Sequence, residues 1–296
     1  MPVNLSGPMR GVLWMAGAMI FFTILTVLVR YLAATIPAAE QAFVRGIVAV
    51  AFMVPWQMRK GLAGFRTRRL GLIGIRAAFI AFGVWTWFYA VGVMPLADAV
   101  ALHFTLPLFG IVLAMIFLRE RPTVHRWAAT VVGFCGALVI LRPGFAAVEL
   151  VGLIVLFSAF CYAAGSVITK ELVRTEPPDL IVLYMNIFGV LYFAVPAYLT
   201  WVPPGPGDWM LLFGLGLSTM GAHICYTRGL TTADASYLFP VEFIRLPMTA
   251  GAGIVLFAEA LDTWTVVGAL IIFASTYYIT REGPARAAAA DGGRRT

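Results

Sequence analysis

Apolar residues fall along this chain in runs of about 18 to 22, separated by short polar breaks. A helix needs a run of this length to cross a bilayer, whereas a soluble core would show amphipathic stripes instead. The runs also lack the polar alternation of barrel strands, so helices are predicted. Ten membrane spans are predicted, at residues 11–29, 38–57, 70–91, 96–118, 124–141, 150–169, 180–201, 209–228, 233–257 and 264–281.

The chain also repeats itself. Gly11–Pro55 aligns without a gap with Gly152–Pro196, and Glu120–Gly144 aligns with Glu259–Gly283. A duplicated unit with an odd number of spans places its halves upside down relative to each other, an architecture common in secondary transporters. We therefore predict an all-α integral membrane fold of ten transmembrane helices in two inverted five-helix repeats. The predicted divisions are residues 1–144, residues 145–283 and a disordered cytoplasmic tail at 284–296.

Composition and charge agree with a membrane protein and set its orientation. The chain is 61% hydrophobic and 12% charged, with a mean hydropathy of +0.91. If the N-terminus is inside, sixteen Lys and Arg residues lie in inner segments and two, Arg30 and Arg142, in outer segments. The positive-inside rule then predicts cytoplasmic termini in the cell inner membrane. The net charge of +7 reflects orientation and contact with anionic lipid headgroups, so no nucleic-acid partner is predicted.

Two short sequence motifs resemble those of a known protein family. Phe-Leu-Arg-Glu-Arg-Pro at 117–122 opens the fifth span, and Phe-Ala-Glu-Ala-Leu-Asp at 257–262 opens the tenth. With the two five-helix halves, they resemble the paired EamA domains of the drug/metabolite transporter superfamily, over residues 11–283. The family's helix pattern E-x8-G-x6-G is matched in part by Glu259, Gly268 and Ser275 in the second half and by Glu120, Ala129 and Gly136 in the first.

The resemblance implies a secondary transporter that works by alternating access and is not driven by ATP. Length and aromatic content are similar to those of the bacterial YddG-type amino-acid exporters, so the predicted cargo is amino acids, including aromatic ones. The alternatives are an exporter or importer of another small metabolite or drug, such as an amine or a nucleotide precursor, and a channel. Protons are a candidate coupling ion. A monomer is sufficient for this mechanism, and the oligomeric state stays open.

Motifs of other protein classes are absent from the sequence. It contains no HExxH zinc motif, no GxSxG nucleophile and no Walker A phosphate loop. An enzyme or an ATP-driven pump is therefore not predicted, and neither a cofactor nor a metal is expected.

A pair of opposite charges marks the first candidate binding site. Arg245 lies near the middle of the predicted ninth span, and Glu242 lies one turn earlier on the same face. An ionisable side chain at this depth costs about 2.5 to 3.5 kcal/mol on insertion scales and usually lines a polar cavity. A zwitterionic amino acid places its carboxylate on Arg245 and its ammonium near Glu242. The alternative is a structural ion pair that fixes helix packing.

Two other intramembrane cations are weaker candidates. Arg76 lies close enough to the cytoplasmic end of its span to reach that surface. Arg45 enters the second span from the outside and has Glu40 and Asp98 as possible partners near that surface.

Histidines, aromatic residues and prolines inside the spans complete the candidates. An imidazole at membrane depth can carry a proton or donate a hydrogen bond to substrate, and a ring facing a cavity offers stacking or cation–π contact. The same residues can equally contact lipid or pack between helices. The further substrate-binding candidates are His103, Trp85, Tyr89, Tyr162, Phe22, His223 and Tyr226. The candidate hinges are Pro107, Pro240 and Pro247, because a proline permits a kink.

Overall fold

The structure is a computed structural model, and it describes residues 7–59, 61, 65–118, 124–141, 148–172, 174–232, 241 and 244–292. Regular structure in this part of the chain is α-helical throughout. The helices are α1 (Gly7–Leu32), α2 (Ala38–Met58), α3 (Leu70–Val93), α4 (Leu96–His103), α5 (Leu106–Leu118), α6 (Val124–Leu141), α7 (Val148–Leu172), α8 (Pro178–Leu199), α9 (Pro206–Thr232), α10 (Arg245–Phe257) and α11 (Thr263–Gly292).

These helices account for the ten predicted spans. Within the described residues, seven apolar helices are long enough to cross a membrane, with α4 and α5 together forming one of them. Three shorter apolar helices, Trp127–Ile140, Arg245–Phe257 and Thr263–Ser275, stand at the fifth, ninth and tenth predicted positions. Helices satisfy every backbone hydrogen bond within one segment, as a hydrocarbon environment requires. The prediction of an all-helical membrane protein is confirmed.

Several helices begin directly after or at a proline. α2 follows Pro37, α4 follows Pro95, α8 begins at Pro178 and α9 begins at Pro206. A proline at the start of a helix loses nothing, because the first N–H groups have no partner within the helix. These prolines thus set where spans begin.

The fourth predicted span is broken into two helices. α4 ends at His103, and α5 begins at Leu106, one residue before Pro107. The proline ring lacks an N–H and clashes with the carbonyl four residues earlier, so a continuous helix cannot pass this point. The Thr105 hydroxyl donates instead to the carbonyl of Leu102 at 2.7 Å. The break leaves His103 at a helix end in the interior of the bundle.

Helix packing has the symmetry that an inverted repeat requires. The equivalent spans of the halves are α1 and α7, α2 and α8, α3 and α9, α4/α5 and α10, and α6 and α11. α1 packs on α9 and α3 on α7, and these two contacts exchange when the halves are exchanged. The contacts of α2 with α8 and of α6 with α11 map onto themselves. The predicted fold of two related five-helix halves is confirmed.

The bundle has two differently charged ends. We call the end that carries Arg59, Arg69, Arg174 and Arg228 the basic face, and the other end the opposite face. α1 runs from the basic face to the opposite face and α2 returns, so the direction alternates along the chain. The opposite face carries the ends of α1, α3 and α10 and the starts of α2 and α4.

The last helix extends further than the sequence predicts. α11 continues to Gly292, into the segment 284–296 that is predicted to be a disordered tail. Four consecutive alanines, Ala287–Ala290, lie in this segment. Alanine has the highest intrinsic helix propensity, which favours continuation of the helix.

α6 and α11 cross at two glycines. A methyl group added to Gly268 would lie 2.5 Å from the main-chain oxygen of Gly136, and one added to Gly136 would lie 2.9 Å from that of Gly268. Main-chain atoms cannot move aside as a flexible side chain can. Small residues at both positions therefore allow the backbones to meet, as is common where membrane helices associate.

Gly268→Ala is expected to lower the free energy of unfolding by about 1 to 3 kcal/mol, the usual cost of overpacking a filled interface. Thermal unfolding in detergent measures the change. Gly251→Ala in α10 is the matched control, because nothing lies within 4 Å of an added methyl group there. A Gly268 variant as stable as the Gly251 variant would contradict the close crossing.

Candidate functional site

Arg245 occupies the interior of the bundle between two aromatic rings. It is the first residue of α10, 12 residues before Phe257 and hence about 18 Å from the opposite face, near the midplane. Its guanidinium carbon lies 5.3 Å from the ring centroid of Phe22 and 5.6 Å from that of Trp87. It also donates to the hydroxyl of Thr26 at 3.1 Å. Glu242, the predicted partner, lies outside the described residues.

His103 joins a second group of rings to this arginine. Its ring centroid lies 4.5 Å from that of Trp87 and 5.2 Å from that of Tyr162. Trp87 therefore contacts both His103 and Arg245. The Nε2 atom of His103 is buried and has no hydrogen-bond partner in the described part of the chain. A buried polar atom without a partner is costly, so this nitrogen is available to a ligand.

Phe22 joins a third pair of rings. Its centroid lies 5.9 Å from that of His223 and 6.5 Å from that of Tyr226, both edge to face. The contacts run without interruption from Tyr226 through Phe22, Arg245, Trp87 and His103 to Tyr162. We call these six residues and His223 the central cluster.

The central cluster is built from symmetry-related helices. Its residues come from α1 and α7, from α3 and α9, and from α4 and α10, which are the equivalent spans of the two halves. The site thus lies where the halves meet, as expected for a carrier made of inverted repeats. Of the residues predicted from the sequence, the structure brings together Phe22, His103, Tyr162, His223, Tyr226 and Arg245.

Trp85 and Tyr89 do not join this group. They are 40% and 48% exposed, and Trp85 makes its ring contact with Phe193, at 6.3 Å. A helix that is apolar all round has no polar stripe from which the sequence could predict the face that points inward. Trp87 lies on the interior face and is 3% exposed.

The candidate hinge prolines lie at helix starts where the structure describes them. Pro107 is the second residue of α5, directly after the break at His103. Pro247 is the third residue of α10 and is exposed. Pro240 lies outside the described residues.

Arg45, a weaker candidate in the sequence analysis, is an interior cation. It is 9% exposed, its guanidinium carbon lies 5.6 Å from the Phe88 ring centroid, and it lies within electrostatic reach of Tyr162. The predicted partners face elsewhere. Glu40 accepts from the main-chain N–H of Val202 at 3.0 Å, and Asp98 accepts from the hydroxyl of Thr265.

The opposite face is closed by an ion pair that joins several helices. Arg30, near the end of α1, lies 3.2 Å from Oε1 of Glu259. It also donates to the carbonyl of Val91, at the end of α3, at 2.9 Å. Oε2 of Glu259 accepts from the main-chain N–H of Leu96, at the start of α4, at 2.8 Å. We call Arg30, Glu259 and Leu96 the latch.

The end of α10 explains the position of Glu259. Ala258 has a φ of 52°, in the left-handed region, and the N–H of Glu259 bonds to the carbonyl of Gly253 at 3.1 Å. This C-terminal cap turns the chain back over the helix. A methyl group on Gly253 would lie 2.6 Å from Oε2 of Glu259, so only glycine leaves room for the carboxylate.

A looser network lies on the basic face. Glu171, at the end of α7, pairs with Arg69 at 3.3 Å and with Arg174 at 3.0 Å. Both side chains of the Arg69–Glu171 pair are 35% exposed, whereas those of Arg30 and Glu259 are 21% and 12% exposed. The tighter closure is therefore on the opposite face.

Two halves of the sequence match the same family model. The EamA-like transporter family is matched at residues 9–142 and again at residues 150–281. The chain belongs to the EamA-like transporter family. It is accordingly a small-molecule transporter and a multi-pass membrane protein, and it is not an enzyme.

Similar proteins have different named substrates. A riboflavin transporter of Rhizobium johnstonii is 35% identical over 283 residues, covering 92% of this chain and 91% of the relative. An S-adenosylmethionine uptake transporter of Rickettsia prowazekii is 28% identical over 271 residues and covers 92% of each chain. A solved crystal structure at 17% identity covers 90% of this chain and 94% of its own, with a TM-score of 0.64, and shows a similarity of overall fold alone.

These comparisons correct the narrower resemblance. The relatives are named for riboflavin and S-adenosylmethionine, so the likeness to YddG-type amino-acid exporters is not supported. The structure also shows what two residues of the EamA motif contact. Glu259 lies four residues before α11 begins at Thr263 and forms the latch, and Gly268 forms the crossing with α6.

Proposed function

We propose that this EamA-family protein carries riboflavin, or a closely similar planar nitrogen heterocycle, across the cell inner membrane by alternating access. The observation that carries the proposal is the central cluster, in which aromatic rings and Arg245 meet between the symmetry-related helices. The riboflavin transporter that is 35% identical over 92% of the chain supports this substrate. This replaces amino-acid export, the main sequence prediction, with its stated alternative of another small metabolite.

The chemistry of the central cluster suits a flat, polar ring system. Riboflavin consists of a planar three-ring system with carbonyl oxygens and an imide N–H, joined to a hydroxylated chain. Trp87 and Phe22 offer aromatic faces and edges for stacking. Arg245 supplies charge-assisted hydrogen bonds to carbonyl oxygens, and Nε2 of His103 has no hydrogen-bond partner within the described ranges. The cluster thus offers both stacking surfaces and hydrogen-bonding groups to such a ring system.

The latch suits alternating access. It joins α1 and the end of α3 to the start of α4 and the turn after α10, at the opposite face. Separation of these ends opens a path from that face to the central cluster, while the exposed network of Glu171 closes the basic face. With the basic face in the cytoplasm, as the positive-inside rule expects, the latch is the external gate.

Counterflow in proteoliposomes tests the proposal. Liposomes that contain the purified protein and are loaded with unlabelled riboflavin are expected to accumulate labelled riboflavin faster than unloaded ones. Internal substrate speeds exchange by a carrier, because the binding site returns to the outside with substrate bound. A channel shows no such acceleration. Protein-free liposomes provide the control for leakage.

Competition defines the substrate class. Unlabelled riboflavin is expected to compete with the labelled compound, while S-adenosylmethionine and tryptophan compete weakly. Exchange supported only by S-adenosylmethionine or only by tryptophan would contradict the flavin assignment and leave the family assignment intact. Conductance without accelerated exchange would favour a channel.

A further inference from the structure

A crevice between α2, α3 and α8 is lined in part by polar atoms that have no hydrogen-bond partner among the described residues. Its lining includes Arg45 from α2, Ala81 and Val84 from α3, and Asn186 and Phe193 from α8. Most of these residues are apolar. Arg45 and Asn186 are the two lining residues with polar side chains.

Both polar residues carry an unused hydrogen-bonding atom. Arg45 is 9% exposed and Asn186 is 4% exposed. The Nε–H donor of Arg45 and the Oδ1 acceptor of Asn186 are buried and have no hydrogen-bond partner among the residues that the structure describes. The amide nitrogen of Asn186 donates to the carbonyl of Val182 at 2.9 Å, and this bond orients the oxygen away from its own helix turn.

Arg45 also lacks a counter-ion among the described residues. Its guanidinium contacts the Phe88 ring and lies within electrostatic reach of Tyr162 and His223. A charge in a membrane interior is costly and usually serves a polar pathway or a ligand. Arg76 is equally buried, but its Nε donates to the hydroxyl of Thr169, so a protein group holds it.

We propose that Arg45 and Asn186 bind the imide edge of the substrate ring. This assignment rests on the proposed function. An imide presents a carbonyl acceptor beside an N–H donor, and the crevice presents the complementary donor of Arg45 and acceptor of Asn186. Arg45 also lies within electrostatic reach of Tyr162 of the central cluster. The proposal therefore places the ring system in the cluster with its polar edge toward Arg45 and Asn186. These residues thus select substrates with an imide over other flat aromatic compounds.

Binding of riboflavin and of 3-methylriboflavin, measured by flavin fluorescence with the purified full-length protein, tests the assignment. The methyl group removes the imide N–H that Asn186 is proposed to accept. The wild type is expected to bind 3-methylriboflavin about tenfold more weakly than riboflavin, since a buried acceptor is left unpaired. Asn186→Leu is expected to bind both compounds with similar affinity. This comparison includes an arm with the wild type, so it does not depend on the folding of a variant.

Arg45→Gln is expected to weaken riboflavin binding about tenfold to a hundredfold. The unfolding temperature is expected to change little, because the substitution gives up the contact with the Phe88 ring but breaks no ion pair among the described residues. Arg76→Gln is the matched control. It removes an equally buried guanidinium and is expected to keep riboflavin affinity while losing stability.

Each outcome decides between the two proposals. Riboflavin binding by the wild type together with unchanged affinity in Arg45→Gln would overturn this inference alone. Equal binding of riboflavin and 3-methylriboflavin by the wild type would also overturn it. A wild type that binds no riboflavin would instead contradict the proposed function, and the imide assignment with it.

Discussion

Arg245→Gln is expected to weaken riboflavin binding about tenfold to a hundredfold, because a hydrogen bond to a charged group contributes about 1.5 to 3 kcal/mol. The guanidinium lies between the rings of Phe22 and Trp87 at the midplane, where the two halves meet. Arg245→Lys retains the charge but loses the planar fork, so an intermediate affinity is expected. Equilibrium binding and counterflow on the same preparations measure the effect.

Stability measurements separate a binding role from a structural one. Arg245 makes cation–π contacts with two rings, and a desolvated contact of this kind contributes about 2 kcal/mol. If Arg245→Gln has the unfolding temperature of the wild type but does not bind riboflavin, a binding role is supported. Normal binding by a folded Arg245→Gln would assign the arginine to packing. Arg174→Gln, which removes an exposed arginine on the basic face, is expected to leave binding unchanged.

Glu242→Gln belongs to the same series. Glu242 lies outside the described residues, and its pairing with Arg245 or with a substrate ammonium stays a prediction from the sequence. Riboflavin carries no ammonium group. Unchanged riboflavin binding in Glu242→Gln is therefore expected, and a large loss would favour a zwitterionic substrate.

Glu259→Gln is expected to open the opposite face. The substitution removes the charge that Arg30 contacts at 3.2 Å and weakens the bond accepted from the N–H of Leu96. Loss of a partly buried charged interaction of about 1.5 to 3 kcal/mol shifts the closed-to-open ratio by about tenfold or more. A cysteine at Thr26, next to Arg245, is expected to react about tenfold faster with an impermeant maleimide from that side. The natural cysteines Cys135, Cys161 and Cys225 are first replaced.

Glu171→Gln is the matched control for the latch. It breaks the exposed pair with Arg69 on the basic face, and an exposed ion pair contributes only about 0 to 1 kcal/mol. Labelling from the opposite face is expected to stay at the wild-type rate. If Glu259→Gln labels no faster than Glu171→Gln, the latch does not control opening.

The pattern of the chain predicted its architecture because membrane folding is dominated by local rules. A run of apolar residues must form a helix in hydrocarbon, whatever its neighbours, so the number and order of spans followed from hydropathy. The repeat between Gly11–Pro55 and Gly152–Pro196 predicted two related halves, and the helix packing has that symmetry. Pro107 marked the break in the fourth span, although the sequence alone did not distinguish a kink from two helices.

The residues of the central cluster were predicted only in part. The sequence of a membrane helix that is apolar on every side does not show which face points into the bundle. Arg245, His103 and Tyr162 were chosen as candidates because a charge, an imidazole or a phenol is unusual at that depth, and the structure places all three in the central cluster. Trp87 was missed and Trp85 chosen, because α3 is apolar on every side and only packing decides which ring points inward.

The sequence by itself determined the membrane class, the duplicated helices, the charge asymmetry of the loops and the family motif. Each depends on residue type and local order along the chain. Tertiary structure alone decided that Arg45 lacks a carboxylate partner among the described residues, that Glu259 bonds to Arg30 and Leu96, and that Gly268 meets Gly136. These contacts join residues more than a hundred positions apart, so they depend on how the packed helices are rotated and aligned against each other. The position of Glu259 also depends on the turn at Ala258.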